Sequence, residues 1–474
     1  MLPALAALPA AGAPPVFDPA LIARYDTSGP RYTSYPTAPQ FRDDFGEADF
    51  RHAAQASNED PIPRPLSLYL HVPFCASPCF YCGCNRIITR DRRKADRYLA
   101  RLCHEIDRIA PLFDRDRPLQ QLHLGGGTPN FFDARQLRTL VGTIDGRFTL
   151  AGRGQREFGI EIDPRGADAA YVHQLAELGF DRLSLGIQDF DADVQRAINR
   201  VQDPAQVGEV IDAAHAHGFR SVSVDLIYGL PRQTPERFRR TLEQVAALRP
   251  QRIVTYAYAH LPERFRAQRR IVAAELPDAA MRLALLGMTV ATLTAAGYRY
   301  IGMDHFALPD DELSLAQERG TLHRNFQGYS THADCDLIGL GVSAISHVGA
   351  TFSQNLRELP AYEAALDQGR LPIERGLRLG ADDLARADVI QQLMCHDGID
   401  IAAVELRHHL AFASYFADAL RRLERFERDG LVEVTAQRIA VRPGGRLLLR
   451  NIAMCFDAYL PALASEPGRY SRTL

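Results

Sequence analysis

Short apolar runs alternate with longer amphipathic stretches along most of this chain. Compact apolar runs predict strands, and apolar positions spaced by about 3.6 residues predict helices. The predicted order opens with strand Leu66–Phe74, helix Asp96–Ile109, strand Gln121–Leu124 and helix Ala134–Ile144. Strand Phe158–Ile162, helix Ala167–Leu178, strand Arg182–Ile187 and helices Ala192–Asn199 and Val207–His217 follow. Then come strand Val222–Ile227, helix Pro235–Leu248, strand Ile253–Tyr258, helix Met281–Ala296 and strand Tyr298–Met303. Gly179, Gly218 and Gly297 stand just past helix ends, where a left-handed cap is wanted. Such alternation argues for parallel strands joined by right-handed crossovers. The predicted fold class is α/β, a complete or partial (β/α) barrel, with an open doubly wound sheet as the alternative. In both, ligands gather at the carboxyl ends of the strands.

The pattern changes near Gly376. Ala381–Cys395 and Ala411–Asp429 read as amphipathic helices, the second burying Phe412, Tyr415, Phe416, Leu420, Leu423 and Phe426. Leu431–Thr435 and Arg438–Arg442 read as a hairpin, so the last part resembles a small winged-helix-like module. Its arginines (Arg421, Arg422, Arg425, Arg428) interleave with acidic residues, as on a solvated helix face. The expected divisions are an N-terminal segment 1–60, an α/β region 61–375 and a mostly helical C-terminal domain 376–474.

Composition narrows the class. The 474 residues are 46% hydrophobic and 24% charged, enough to bury a large core, and the net charge of −3 excludes the basic footprint of a non-specific nucleic-acid binder. No apolar stretch is long enough to span a membrane. Met1–Phe17 is apolar but broken by prolines and preceded by no positive charge, which makes it a poor targeting peptide and reads as a flexible tail of a cytoplasmic protein. Lys94 is the only lysine, so nearly every cation is an arginine. Guanidinium groups suit carboxylate or phosphate ligands, although these are spread throughout the chain.

Four of the eight cysteines, Cys75, Cys79, Cys82 and Cys84, fall within ten residues just after the first predicted strand. Zinc sites usually pair two short cysteine motifs across a longer stretch, and no second pair is present here. The spacing also matches neither ferredoxin pattern. A C-x3-C-x2-C run has another use: three thiolates hold three irons of a [4Fe–4S] cluster and leave the fourth open to S-adenosylmethionine (SAM).

That motif, on the loop after a barrel's first strand, resembles the radical SAM superfamily. Tyr69, His71, Pro73-Phe74-Cys75, Cys84 and Asn85 resemble, within it, the oxygen-independent coproporphyrinogen III oxidase family. So do Arg31–Pro36, Gly125–Pro129, Asp225–Pro231, Tyr258–Pro262 and Arg324–Tyr329. The resemblance runs from about residue 25 onward, and its motifs are weak after residue 360. It implies a partial barrel, with segment 1–60 close to the substrate. The implied activity is the oxidative decarboxylation of two propionates of coproporphyrinogen III to vinyl groups, giving protoporphyrinogen IX in haem biosynthesis. In that chemistry a reduced cluster cleaves SAM, and the resulting radical takes hydrogen from a propionate β-carbon.

The resemblance also implies roles. Cys75, Cys79 and Cys82 would ligate the cluster, and Cys84 would be catalytic or a packed thiol beside it. His71 and Tyr69 would stand at the catalytic centre. Two SAM molecules are implied. Tyr69, Gly126, Glu161 and Ile345 fall on positions for the cluster-bound one, and Tyr81, Gly127, Thr128, Gln188, Arg200, Asp225 and Ala259 on positions for the second. An electron-donor protein such as a flavodoxin or ferredoxin, an unidentified electron acceptor and a monomeric state complete the expectation. A haem chaperone of the same superfamily is the alternative, disfavoured by the presence of Cys84 and Arg31–Pro36. An enzyme acting on tRNA is disfavoured by the lack of a basic stripe.

Two other motifs carry less. Leu340–Ser346 lacks the glycine spacing of a dinucleotide loop and reads as a loop closing the barrel mouth. His215 and His217 sit at positions i and i+2 of a helix, which do not share a face, and read as partners of its C-terminal dipole.

Overall fold

The structure, a computed structural model, describes residues 14–332, 335–460, 470, 472 and 473. Most of the Met1–Phe17 tail therefore lies outside the described residues. Its last part is tied down: the Val16 amide donates to the Pro443 carbonyl, and Phe17 packs against Gly287.

Six parallel strands make the centre of one sheet: β1 (Leu66–Val72), β2 (Pro118–Gly126), β3 (Glu157–Ile162), β4 (Arg182–Gln188), β5 (Ser221–Tyr228) and β6 (Arg252–Ala257). Every residue of β1 but Tyr69 is buried, as befits a strand covered on both faces. Outer helices begin on side-chain caps, with Asp133, Asp168, Asp203, Thr234 and Asp278 each accepting a backbone N–H of the first turn. Their apolar stripes pack in the main core through Leu140, Val172, Ile211, Leu242 and Leu285, and the uncapped helix Arg93–Ile109 does so through Leu102. Beyond β1 the sheet continues with the parallel strand Asp336–Leu340 and the antiparallel strands Ile345–Val348, Thr351–Asn355 and Ile373–Arg378. Beyond β6 it continues with His305–Ala307 and Arg299–Gly302. Among the described residues the two outermost strands do not pair with each other, so the barrel is partial.

Three expectations need correction. Tyr298–Met303 is not a further parallel strand: Arg299–Gly302 folds back on His305–Ala307 as an antiparallel hairpin, because Gly302 at φ +155° and Met303 at φ +51° reverse the chain. Leu340–Ser346 is a loop only over 341–344, at the carboxyl end of a strand parallel to β1, because Leu340, Ile345 and Ser346 belong to strands. It is the tight connection between two strands of the main sheet, turning at Gly341 (φ +94°), where a Cβ would stand 2.5 Å from the Tyr98 hydroxyl. The helix expected over Ala411–Asp429 breaks at Phe416 into Phe412–Tyr415 and Ala417–Arg428. The break turns Tyr415 outward while Phe412, Phe416, Leu423 and Phe426 stay buried.

A second core joins the two ends of the chain. Tyr25, Tyr32 and Tyr35 pack with Val389, Leu393, Phe416, Phe426 and Phe456, and Tyr25 stacks on Phe426 at 4.5 Å. Helix Glu47–Asn58 belongs instead to the first core, through Phe50 and Ala54. A small antiparallel sheet of Gly398–Asp400, Arg438–Val441 and Val432–Val434 completes the C-terminal part and contains the expected hairpin. Strand Ile373–Arg378 spans the expected limit at residue 375.

Candidate active site

Strand register brings the cysteine loop to the triple glycine. His71 of β1 stands opposite Gly125 of β2, and Val72 opposite Gly126. Gly126 has φ +115°, and a Cβ there would lie 2.7 Å from the His71 ring; one on Gly127 would lie 2.6 Å from the Pro73 carbonyl oxygen. Only glycine lets the two backbones meet this closely.

The loop is closed by its own backbone and by one arginine. The Ile87 amide donates to the Pro73 carbonyl at 2.7 Å and the Thr89 amide to that of Cys75 at 2.9 Å. Arg86 donates to the carbonyls of Cys79 and Cys82, each at 3.1 Å, and to that of Cys84 at 3.4 Å. His71 Nε2 lies 3.0 Å from the Asn85 carbonyl oxygen. A carbonyl only accepts, so Nε2 carries the proton and Nδ1 is left to accept from the Tyr69 hydroxyl, 3.3 Å away. Burial lowers the His71 pKa, which keeps the ring neutral in this role.

All four thiols are free. They line one cavity of about 180 Å³ with Tyr81, Gly126, Gly127, Thr128, Glu161, Gln188, Arg200 and Asp225. The strands make its wall, since Glu161 of β3 pairs in register with Ser184, and Asp225, which lies within β5 rather than at its end, pairs with Gly186. Four expected residues do not line it. Tyr69 and His71 stand behind the loop, and the Tyr69 ring stacks on His123, whose Nε2 is 3.1 Å from Glu161. Ala259 lines a neighbouring cavity, and its carbonyl accepts from Gln268. Ile345 sits two strands beyond β1.

Donors point at the thiols. Thr128 Oγ1 donates to Cys75 Sγ at 3.2 Å, and Arg200 and Arg165 approach Cys79 Sγ at 3.4 and 3.7 Å. Burial pushes the Cys75 thiol up to about 11 against the Thr128 bond. The Cys84 thiol donates to Cys82, which lowers Cys82, with Arg86 and Arg200 helping, and raises Cys84. Across the cavity, burial pushes Asp225 up to about 7. Neighbouring Glu161 adds to this, while Ser184 and Arg200 pull the other way. Gln188, at φ +70°, holds its Oε1 buried without a partner.

This donor set fits an iron–sulfur cluster better than a single ion. Three thiols ring a cavity rather than meeting at a point, and among the described residues no three His, Cys, Asp or Glu side chains group as ligands of one metal ion. Hydrogen bonds to the sulfurs are how a protein tunes such a cluster, and the orphaned Gln188 oxygen is an acceptor left for a bound molecule. Arg86, Arg165 and Asp163 belong to this site and were not singled out from sequence. An arginine two residues past a motif gives no signal in a chain so rich in arginine.

Similarity to known proteins agrees with this geometry. The radical SAM superfamily matches residues 69–245, and the HemN C-terminal domain matches residues 379–448. The oxygen-independent coproporphyrinogen III oxidase of Pseudomonas aeruginosa is 51% identical over 458 residues, 97% of this chain and 99% of that protein. That of Escherichia coli strain K12 is 49% identical over 94% of this chain and 96% of its own. The chain belongs to the oxygen-independent coproporphyrinogen III oxidase family. The solved structure of coproporphyrinogen III oxidase (HemN) from Escherichia coli, a radical SAM enzyme, superposes with a TM-score of 0.89 at 47% identity, covering 94% of this chain and all of that one. As a radical SAM protein of this family, the chain uses a [4Fe–4S] cluster and SAM. Among the described residues no helix is long and apolar enough to cross a membrane.

Proposed function

We propose that the protein oxidatively decarboxylates two propionate side chains of coproporphyrinogen III to vinyl groups, giving protoporphyrinogen IX. Near full-length similarity to enzymes of that name supports the substrate. The observation that carries the reading is the cavity in which three free thiols after β1 face Glu161 near the end of β3 and Asp225 within β5.

With cluster and SAM bound, these cofactors supply the one-electron chemistry that takes a hydrogen atom from a propionate β-carbon, after which one more electron and CO2 leave. The protein ligates, orients and shields. Cys75, Cys79 and Cys82 would hold the cluster. Thr128, Arg165 and Arg200 donate to its thiolates, and Arg86 and His71 hold the loop's carbonyls. Gly126 and Gly127 leave backbone, without side chains, open to a cofactor. Glu161, which lines the cavity, would supply a carboxylate for binding the cluster-bound SAM. Cys84, exposed on the loop and lining the same cavity, would serve in catalysis. A second SAM, held by Tyr81, Thr128, Gln188, Arg200 and Asp225, belongs to the same proposal. So do a flavodoxin or ferredoxin donor, a separate electron acceptor, a monomeric state and a cytoplasmic site; these rest on family membership.

The test is mass spectrometry of tetrapyrrole products after anaerobic cluster reconstitution, with SAM, a reductant, an acceptor and coproporphyrinogen III supplied. Vinyl products that require SAM and vanish in Cys79→Ala are expected. Unchanged substrate with SAM cleavage intact would overturn the reading, and stoichiometric haem binding without turnover would favour the chaperone.

A further inference from the structure

The cluster cavity is one of three that adjoin in series. It shares Glu161, Ser184 and Asp225 with a cavity of about 140 Å³ inside the barrel. That one shares Gln121 with a third, of about 340 Å³, between Tyr32–Tyr35, the hairpin at Arg324 and helix Ala381–His396. The third cavity contains a guanidinium with no carboxylate partner among the described residues.

Arg324 lines it and is only 4% exposed. Its Nε and Nη1 are buried and have no hydrogen-bond partner. Its one packing partner of note is the ring of Tyr329, 4.8 Å beneath the guanidinium, and Tyr329 lines the barrel interior. The charge therefore stands at the partition between the two cavities. Other deep arginines nearby are paired: Arg182 with Glu157, Arg252 with Asp311 and Arg31 with Asp304. Among the described residues the one acid lining the third cavity, Asp388, is already held by Arg407 and His408. Ser34, which lines the same cavity, also buries a hydroxyl with no partner.

A buried cation with unused donors is costly unless an anion joins it. Arginine is the side chain suited to a planar, bidentate carboxylate. We propose that Arg324, with Ser34 of the same cavity, binds a carboxylate of the tetrapyrrole, anchoring a propionate that is not reacting while another faces the cluster cavity. This rests on the proposed substrate and adds the group that would recognise it. Arg324 is here a binding residue remote from the chemistry.

The test is equilibrium binding, by quenching of porphyrin fluorescence, of coproporphyrin III and of its tetramethyl ester to the anaerobically reconstituted protein. Wild type is expected to bind the acid at least tenfold more tightly than the ester. Arg324→Gln is expected to lose tenfold or more for the acid and to leave the ester unchanged, with Arg324→Lys between. An unchanged affinity for the acid in Arg324→Gln overturns the proposal, and so does an equal loss for acid and ester, which marks a damaged pocket. If the glutamine variant does not fold, the same acid-to-ester comparison on Arg324→Lys decides. Wild-type turnover of coproporphyrinogen III is measured in parallel. Its absence counts against the proposed function, whereas its presence with an unaltered Arg324→Gln counts against the anchor alone.

Discussion

His71 Nε2 meets the carbonyl oxygen of Asn85 at 3.0 Å, so the strand that enters the cysteine loop also holds the residue that leaves it. The imidazole works as a neutral strut. His71→Leu would strand both the Asn85 carbonyl and the Tyr69 hydroxyl, at a cost of about 1–3 kcal/mol. Anaerobic melts should show that loss, and the purified variant should carry less iron per chain than wild type. Full iron content with unchanged melting would refute the strut.

Arg86 bonds three carbonyls of the loop and has no other partner there. Arg86→Ala should leave the ligands present but loosely held. The expected result is a severalfold faster release of iron to a chelator with little change in initial cluster content. Equal rates would show that the loop holds itself.

Asp225 gives a pH signature. Its pKa in the folded protein, about 7, lies above the ordinary 3.8, so the fold prefers the protonated acid. The group therefore contributes least penalty at low pH, and stability is lost as pH rises from about 4 to 7. Asp225→Asn removes that penalty. In the ligand-free protein the variant should gain stability progressively across this window and reach a plateau above pH 7, with a ceiling of about 4 kcal/mol. Denaturant melts from pH 5 to 8 measure it. A difference that does not vary with pH would contradict the raised pKa. The same variant should weaken SAM binding, the trade expected of a strained functional acid.

Arg117 and Asp336 form an ion pair at 2.6 Å with both side chains almost fully buried, next to the parallel strand that flanks β1. Asp336→Ala would leave a buried guanidinium short of its anion. The expected cost is about 3–5 kcal/mol. The double variant Arg117→Met, Asp336→Ala should recover much of it, read as melting temperature. No recovery would mean that Arg117 matters chiefly for its bonds to Ser57, Asn58 and the Arg64 carbonyl.

The sequence made the strand ends readable, and with them much of the site. Glu161, Gln188 and Asp225 each follow a buried apolar run, and parallel pairing then sends them into one cavity. Other relations depend on contacts distant in sequence. Paired glycines at Gly339 and Gly341 suggest a loop, yet Gly339 is a strand residue facing Tyr69 in register, with the Ile345 backbone packed against it. Helical spacing runs straight through Phe416, but Phe412 and Phe416 both pack against Phe456, and the helix breaks to let them. Arg324 gives no sign in sequence of being unpaired, since that depends on which acids the fold brings near.

The two ends of the chain are fastened together beside the barrel. Arg450 donates to the carbonyls of Gly29 and Pro30 and to those of Arg472 and Thr473, and the Thr473 amide donates to Thr27. Parallel strands β1 to β6 can pair in the order in which a ribosome delivers them. The stretch bearing Arg31, which reaches Asp304 and covers the Tyr256 ring, is held instead by partners far along the chain, Arg450 and Thr473 and also Asp457, which accepts from the Tyr32 hydroxyl. Loss of residues 472 and 473 would therefore take two of the four carbonyl acceptors from Arg450 and the amide bond from Thr27, and would slacken the segment that holds Arg31 against the barrel.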